Sequence, residues 1–216
     1  MVDATLGFNL TNLYMKALKG ILIIVAIGLL MAVTSARADT FQFTSDHCTG
    51  GCGTPPFGTV TLTQVGTSVE FTVSIAPNFW AITGAADNQL FKFNATGVVV
   101  GDITVTQTFA GQTLQADTGA FNGDGTGNFS FGIECTTCKM GNTGISSDLM
   151  FTVANATIAD FTAANDKDNI FVADIFSAQT GNTGPVDVHV PDGGTTLMLL
   201  GSALAGLGLV RRFVWR

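Results

Sequence analysis

The chain has 216 residues, of which 46% are hydrophobic and 12% charged, and its formal net charge is −7. Between Asp39 and Asp192, three lysines and no arginine stand against 13 aspartates and two glutamates, which gives a formal charge of −12. Because binding to a phosphate backbone requires clustered lysine and arginine, this balance excludes nucleic acid as a partner.

The first element in the chain has the pattern of an N-terminal export signal. Residues 16–19 supply two lysines, residues 21–33 form a run of 13 apolar residues, and residues 36–38 read Ala-Arg-Ala. A basic region, an apolar region and a small-x-small site together predict a cleaved signal peptide, with the mature chain beginning at Asp39. The apolar run is too short for a membrane anchor.

The region after the signal has the pattern of a β-protein. Apolar and polar residues alternate over residues 60–62 and 69–75, on either side of the turn at residues 66–68, which predicts a β-hairpin. Further strand candidates lie at residues 91–93, 98–105, 129–133, 149–153 and 170–176. Their spacing predicts an all-β fold, an antiparallel β-sandwich of jelly-roll-like or immunoglobulin-like form. The sequence leaves undecided whether residues 154–165 contain a short helix.

The four cysteines form two closely spaced pairs, Cys48 with Cys52 and Cys135 with Cys138. An exported protein meets an oxidising compartment, where an even number of cysteines favours disulfides. We therefore predict two local bridges. Cross-pairing between the two loops and a zinc site of four thiolates stay open as alternatives.

The sequence offers few catalytic groups. His47 and His189 are the only histidines, and neither lies in a nucleophile motif such as G-x-S-x-G. A solvated loop position is the favoured interpretation of His47. Glu70 and Glu134 are candidates for a glycosidase carboxylate pair, but solvated strand positions explain both. The sequence therefore predicts a protein that is not an enzyme.

Two features suggest ligand binding. Asn122, Asp124, Thr126 and Asn128 place oxygen-bearing side chains at alternate positions among glycines, as in the first half of a calcium loop. No bidentate acid follows at the usual distance, so a plain glycine-rich loop stays open, and calcium is the only cofactor the sequence suggests. Trp80 is a candidate for stacking on a sugar, although its apolar neighbours favour a core or edge position.

The C-terminal tail has three parts. Val190, Pro191, Asp192, Gly193 and Gly194 form a short polar motif, residues 195–210 form a small-residue apolar segment, and Arg211 and Arg212 begin a basic end. A proline beside glycines does not continue a helix, and an arginine pair after an apolar run is the positive-inside signal. As a helix the apolar segment would be about 24 Å long, which is short for a hydrocarbon core of ~30 Å.

This tail resembles the PEP-CTERM sorting domain, in the variant whose motif reads Val-Pro-Asp-Ser-Gly. Val190, Pro191, Asp192 and Gly194 match that motif, and Gly193 stands where the variant has serine. The resemblance implies that the chain is the substrate of an exosortase, a membrane-embedded processing enzyme of bacteria that make exopolysaccharide. It also implies a transient association with the inner membrane.

These patterns divide the chain into three parts. We predict a leader over residues 1–38 with translation beginning at Met15, an exported β-sandwich over residues 39–188, and a sorting tail over residues 189–216 with a transmembrane segment at about 195–210. The expected function is that of a non-catalytic surface or extracellular-matrix protein, sorted by an exosortase and associated with exopolysaccharide or biofilm. A glycan- or calcium-binding module of the cell surface is the alternative.

Overall fold

The computed structural model describes residues 37–84, 87–107, 109, 111–138 and 144–190. Its strands and 3-10 helices lie in the unit that begins at Ala38. The strands are, in chain order, β1 Ala38–Phe43, β2 Ser45–Asp46, β3 Gly58–Val65, β4 Ser68–Ile75, β5 Phe79–Ala81, β6 Gln89–Phe93, β7 Ile103–Val105, β8 Leu114–Asn122, β9 Asn128–Cys135, β10 Leu149–Val153, β11 Asn169–Ser177 and β12 Thr183–His189.

The strands form two antiparallel sheets. The five-stranded sheet has the order β1-β3-β4-β10-β7, and the seven-stranded sheet has the order β2-β12-β11-β6-β9-β8, with β5 also pairing with β11. Every strand pairing within the described residues is antiparallel. The predicted antiparallel β-sandwich is confirmed, while its jelly-roll-like or immunoglobulin-like form stays a prediction.

The hairpin of β3 and β4 shows why the alternating pattern is a reliable guide. Leu62 lies opposite Phe71, and Val60 lies opposite Val73. All four side chains are buried, because successive residues of a strand point to opposite faces and these share the inner face. Gly66 occupies the turn with a φ of 60°, a backbone conformation that glycine adopts without strain. The predicted hairpin is confirmed.

Phenylalanine rings fill the space between the sheets. The ring of Phe71 stacks on Phe151 at a centroid distance of 4.4 Å and meets the edge of Phe161 at 4.9 Å. It also approaches Phe93 and Phe171, which belong to the opposite sheet, at 5.5 and 6.2 Å. Phe71 therefore joins the two sheets at the centre of the core.

Two local expectations need correction. The predicted strand at residues 98–105 is wrong in its first half, because Val100–Asp102 forms a 3-10 helix, and only Ile103–Val105 is strand. Its turn is closed by the Asp102 carboxylate, which accepts a hydrogen bond from the backbone N–H of Val99 at 3.1 Å. Residues 154–165 contain a single 3-10 turn, Ile158–Phe161, closed in the same way by Asp160.

The two ends of the chain carry predictions on which the structure does not bear. Residues 1–36 of the predicted leader, which spans residues 1–38, and the sorting tail from Pro191 to Arg216 lie outside the described residues. Within the described ranges, no helix is long and apolar enough to cross a membrane.

Candidate functional site

The seven-stranded sheet carries charged residues on the face that points away from the core. Phe91 and Phe93 of β6 lie in the core between the sheets, so the alternation of the strand directs Lys92 to the outer face. In the same way, Ala173 and Ile175 place Asp174 of β11 outward. Val186 and Val188, also in the core, place Asp187 of β12 on that face. Three charged residues distant in sequence thus share one surface.

Lys92 and two aspartates form a buried ion cluster on this face. The Lys92 ammonium donates a hydrogen bond to Asp174 Oδ2 at 2.8 Å and lies 3.2 Å from Asp87 Oδ2. The side chains of Lys92 and Asp174 are only 2% and 5% exposed. Two carboxylates share one ammonium, so the cluster carries a net negative charge.

The pKa values of both buried partners, Lys92 and Asp174, are raised. Burial lowers the pKa of Lys92, but attraction to Asp174 and Asp87 more than offsets it, so the pKa lies above its ordinary value of 10.5. Burial is the main cause of the raised pKa of Asp174; Lys92 opposes the shift, and Asp87 and Asp124 add to it. Attraction to the two carboxylates thus raises the pKa of Lys92, whereas removal from water raises that of Asp174.

Gly84 makes room for the ion cluster. A Cβ at this position would lie 2.9 Å from carboxylate oxygens of both Asp174 and Asp87, and 3.3 Å from the Lys92 nitrogen. Any larger residue would displace the two carboxylates, so the backbone can approach the cluster only as glycine.

Both histidines meet the carboxylate of Asp187, whose side chain is fully buried. Nε2 of His47 lies 2.8 Å from Asp187 Oδ2 and forms a hydrogen bond. Nε2 of His189 lies 3.1 Å from Asp187 Oδ1, but without hydrogen-bond geometry, so that oxygen has no hydrogen-bond partner among the described residues. The expectation of a solvated His47 is therefore wrong in part: the ring is 35% exposed, yet a buried carboxylate fixes its position.

The loop that carries His47 is held on the sheet by the first cysteine pair. Cys48 and Cys52 form a disulfide, as do Cys135 and Cys138, so the cysteines lie as the two predicted local pairs. Asp46 Oδ1 accepts hydrogen bonds from the backbone N–H groups of Cys48 and Cys52 at 3.2 and 3.3 Å. The backbone N–H of His47 donates to the carbonyl of Pro185 in β12 at 2.9 Å.

The same loop contains the only group of potential metal ligands in the described part of the chain. Asp46, Cys48 and Cys52 are the one group of three histidine, cysteine or acidic side chains whose ligand atoms lie within 4.8 Å of one another. Both sulfur atoms belong to the disulfide, and a metal binds the thiolate rather than the disulfide. This cluster is therefore a loop anchor in its oxidised form.

The predicted calcium loop connects β8 and β9, and two of its four oxygen-bearing side chains, Asn122 and Thr126, form hydrogen bonds within the loop. Asn122 Oδ1 accepts a hydrogen bond from the backbone N–H of Asp124 at 2.9 Å, and the buried Thr126 hydroxyl donates to the carbonyl of Gly123 at 2.7 Å. The backbone N–H of Asn128 donates to Asp166 Oδ1 at 3.4 Å. Calcium binding by this loop stays a prediction.

Two aspartates and one histidine line a cleft with a volume of about 590 Å³. Asp124 from the β8–β9 loop, Asp174 from β11 and His47 from the cysteine loop all line it, together with Thr83 and Gly84. The β8–β9 loop passes close to the imidazole, since a Cβ on Gly125 would lie 3.4 Å from His47 Nδ1. We call this feature the outer cleft.

The other candidates from the sequence lie elsewhere. Trp80 in β5 is half-buried, its ring packs against Phe176 at a centroid distance of 5.7 Å, and it does not line the outer cleft. Glu70 is exposed on β4, as expected from the alternation. Glu134 on β9 accepts a hydrogen bond from Gln115 at 2.8 Å. Glu70 and Glu134 belong to different sheets.

Comparison with known proteins identifies a known motif in the C-terminal tail. Residues 189–212 match the protein family described as the VPDSG-CTERM motif. The chain therefore carries a C-terminal sorting signal of the PEP-CTERM type, and the particular variant is the one named for Val-Pro-Asp-Ser-Gly. Such a signal indicates an exported protein that is sorted to the cell surface. Neither the curated proteins nor the solved structures contained a match to the chain.

The match begins where the sheet ends. β12 ends at His189, the first matched residue, and Val190 is 43% exposed. The backbone N–H of Val190 still donates to the carbonyl of Asp168 at 3.1 Å. The remaining motif residues, Pro191 to Gly194 with Arg211 and Arg212, lie outside the described residues.

Proposed function

We propose that this chain is an exported, non-catalytic surface or extracellular-matrix protein that an exosortase sorts and that associates with exopolysaccharide. The observation that carries the proposal is the VPDSG-CTERM match at residues 189–212, which begins at the last residue of β12. Val190, where the motif begins, is 43% exposed, which supports access by a processing enzyme without unfolding of the sandwich. The folded part is then the exported domain, and the tail is its sorting signal.

The surroundings of the two histidines support a non-catalytic role. Among the described residues, the hydrogen bond of the His47 ring goes to Asp187, and the His189 ring contacts the same carboxylate. No hydroxyl or thiol in that part of the chain is hydrogen-bonded to either ring. A hydrolase triad requires a nucleophile in hydrogen-bond reach of the imidazole, so the arrangement fits a structural pair better.

Deletion of the tail in the native host tests the sorting proposal. Cells producing the full chain and cells producing a chain that ends at His189 are fractionated, and the mass of the exported protein is measured. We expect the full chain to be shortened at its C-terminus and retained at the surface, and the truncated chain to pass into the medium. Unchanged fractionation and unchanged mass of the full chain would contradict the proposal.

A smaller change provides the matched control. Substitution of Pro191 and Asp192 by alanine alters the motif and leaves the apolar segment and the arginine pair intact. If the motif is the processing signal, this variant should accumulate as the unshortened form in the membrane fraction. A host without the exosortase should show the same accumulation with the unaltered chain, whereas processing in that host would exclude the exosortase as the enzyme.

A glycan- or calcium-binding module of the cell surface is the second candidate. It is favoured by one observation: Asp124 of the β8–β9 loop lines the outer cleft together with Asp174 and His47. Calorimetric titration of the full chain, held in mild detergent, with Ca²⁺ tests the metal form of this candidate. Heat of binding and a rise in melting temperature that Asp124→Asn abolishes would support calcium, and their absence at millimolar Ca²⁺ would remove it.

A further inference from the structure

The size of the outer cleft matches that of a small organic molecule. Its volume is about 590 Å³, whereas a water molecule takes up roughly 30 Å³ of liquid. Small-molecule sites in proteins measure roughly 300 to 1,000 Å³. The cleft is therefore large for a single ion and sufficient for a ligand of the size of a monosaccharide.

The charge of the outer cleft favours a ligand with positive charge. Asp124 and Asp174 both line it. Oδ2 of Asp174 accepts from Lys92, but Asp87 shares the same ammonium, so the net charge of the cluster is negative. Among the described residues, no lysine or arginine lines the cleft to offset the charge of Asp124. An ammonium group can neutralise this excess at close range.

The spacing of these groups also points to a molecule. The carboxylates of Asp124 and Asp174 and the imidazole of His47 line one cleft, but their ligand atoms do not form a group within 4.8 Å in the described part of the chain. A single ion requires its ligands at one point, whereas a ligand with several polar groups can reach separated partners.

Thr83 provides an independent sign of a missing partner. Its side chain is only 4% exposed and lines the outer cleft, yet its hydroxyl has no hydrogen-bond partner among the described residues. Buried hydroxyls in folded proteins are as a rule hydrogen-bonded. Because the hydroxyl oxygen itself is closed to solvent, a ligand hydroxyl or amine supplies that partner once the Thr83 side chain rotates towards the outer cleft.

His47, which also lines the outer cleft, offers a hydrogen-bond acceptor. The buried carboxylate of Asp187 can only accept a hydrogen bond, so Nε2 of His47 carries the hydrogen between them. In the neutral ring Nδ1 then keeps its lone pair. This nitrogen lies on the side of the β8–β9 loop near Gly125, where it can accept a hydrogen bond from a ligand hydroxyl.

We propose that the outer cleft binds a small polyhydroxylated amine, the chemistry of a sugar unit with a free amino group. The ammonium group is bound at Asp124 and Asp174, and the hydroxyl groups are bound at Thr83 and His47. This inference rests on the glycan-binding candidate and names its ligand class. It is independent of sorting, because the cleft is built from residues that precede the tail.

Calorimetric titration of the full chain in mild detergent tests the ligand class. Glucosamine is the probe, and glucose, which has the same ring without the amine, is the matched control. We expect glucosamine to bind at neutral pH about tenfold or more tightly than glucose. Equal affinity for the two sugars, or no binding of glucosamine at millimolar concentration, would overturn the proposal. Heat with calcium chloride but not with glucosamine would assign the cleft to a metal instead.

A pair of charge-removing variants locates the site. Asp124→Asn removes a carboxylate that lines the outer cleft, while Asp148→Asn removes one from an exposed position that does not line it. Both change the net charge by one unit. We expect Asp124→Asn to weaken glucosamine binding about fivefold or more and Asp148→Asn to leave it unchanged. An equal effect of the two variants would show that long-range charge rather than the cleft binds the sugar.

The variant Thr83→Val separates binding from folding. Valine has nearly the shape of threonine and removes the unpartnered hydroxyl, so the melting temperature of the free protein should stay the same or rise. Glucosamine binding should weaken about fivefold. Unchanged binding would contradict the role given to Thr83, and a lowered melting temperature would show that the hydroxyl has a structural partner. Normal processing of the tail in any of these variants leaves the sorting proposal unaffected.

Discussion

The two sheets of the sandwich differ in where they bury polar groups. In β3 and β4 of the five-stranded sheet, buried apolar residues alternate with exposed or half-buried polar ones. In β6 and β11 of the seven-stranded sheet nearly every residue is buried, including Lys92 and Asp174. Among the described residues, every buried polar side chain belongs to the seven-stranded sheet or to a loop that adjoins one of its strands.

The five-stranded sheet therefore only encloses the core, whereas the seven-stranded sheet also carries the candidate site. The five-stranded sheet uses one face for the core and leaves the other to solvent. The seven-stranded sheet uses its inner face for the same core, and its outer face holds the ion cluster, the His47–Asp187 pair and the outer cleft. The two faces of this sheet thus differ: the inner face packs against the other sheet, and the outer face carries the charged residues and the outer cleft.

The largest expected effect comes from the core between the sheets. Phe71→Ala removes a ring that stacks on Phe151 and contacts the opposite sheet, so it leaves a cavity. We expect a loss of about 3 to 5 kcal/mol in the free energy of unfolding, measured by urea unfolding of the full chain in mild detergent. Val65→Ala, at a side chain that is 48% exposed, is the control and should change stability by less than about 0.5 kcal/mol. Similar losses for both variants would contradict a core centred on Phe71.

The strands that form the core could be predicted from the sequence because apolar and polar residues alternate locally along them. The hairpin of β3 and β4 and the strands β10 and β11 follow from apolar residues at every second position or in short continuous runs. β12 gave no such signal, since it begins Thr183-Gly184-Pro185. β8 is interrupted by Gly119, and most of its residues are half-buried or exposed.

The outer cleft was not predictable because its parts meet only through topology. Asp174 of β11 lies beside Lys92 of β6 because these two strands pair, and Asp187 of β12 reaches His47 because β12 pairs with β2. Nothing in the local sequence of His47 indicates a partner 140 residues away. One signal was available: a lysine within the apolar strand Gln89–Phe93 requires a buried counter-charge.

The second effect should come from the ion cluster on the outer face. Lys92→Met keeps the length of the side chain and removes its charge, which leaves the buried Asp174 and the partly buried Asp87 without a counter-ion. We expect a loss of about 3 kcal/mol in unfolding free energy. Lys167→Met, at an exposed lysine, is the matched control and should change stability by less than about 0.5 kcal/mol. If both variants lost equally little unfolding free energy, the ion cluster would not contribute to the stability of the fold.

The pH dependence of stability should identify the same cluster. The pKa of Lys92 is raised in the folded chain, so its contribution is present below its ordinary value of 10.5 and is lost as the pH rises through the folded pKa. The pKa of Asp174 is raised as well, so the folded state holds that proton more tightly, and stability falls as the pH rises from 3.8 towards the folded pKa. Lys92 lowers the pKa of Asp174, so Lys92→Met raises that pKa further; in unfolding measured against pH, the loss caused by the variant should therefore grow as the pH rises above the folded pKa of Asp174 in the unaltered chain. A loss independent of pH would mean that packing rather than charge is responsible.

The smallest effect separates the two histidines that share Asp187. His47 donates a hydrogen bond to this buried carboxylate, so His47→Gln should cost about 1 to 2 kcal/mol of unfolding free energy. His189 is 49% exposed and lacks hydrogen-bond geometry to the same group, so His189→Gln should change stability by less than about 0.5 kcal/mol. Urea unfolding at neutral pH measures both. His189 is the first residue of the sorting match. A small effect of His189→Gln would therefore leave the tail free for processing, while His47 holds the cleft in place. Equal losses of unfolding free energy for the two variants would mean that the tail is tied to the fold through Asp187.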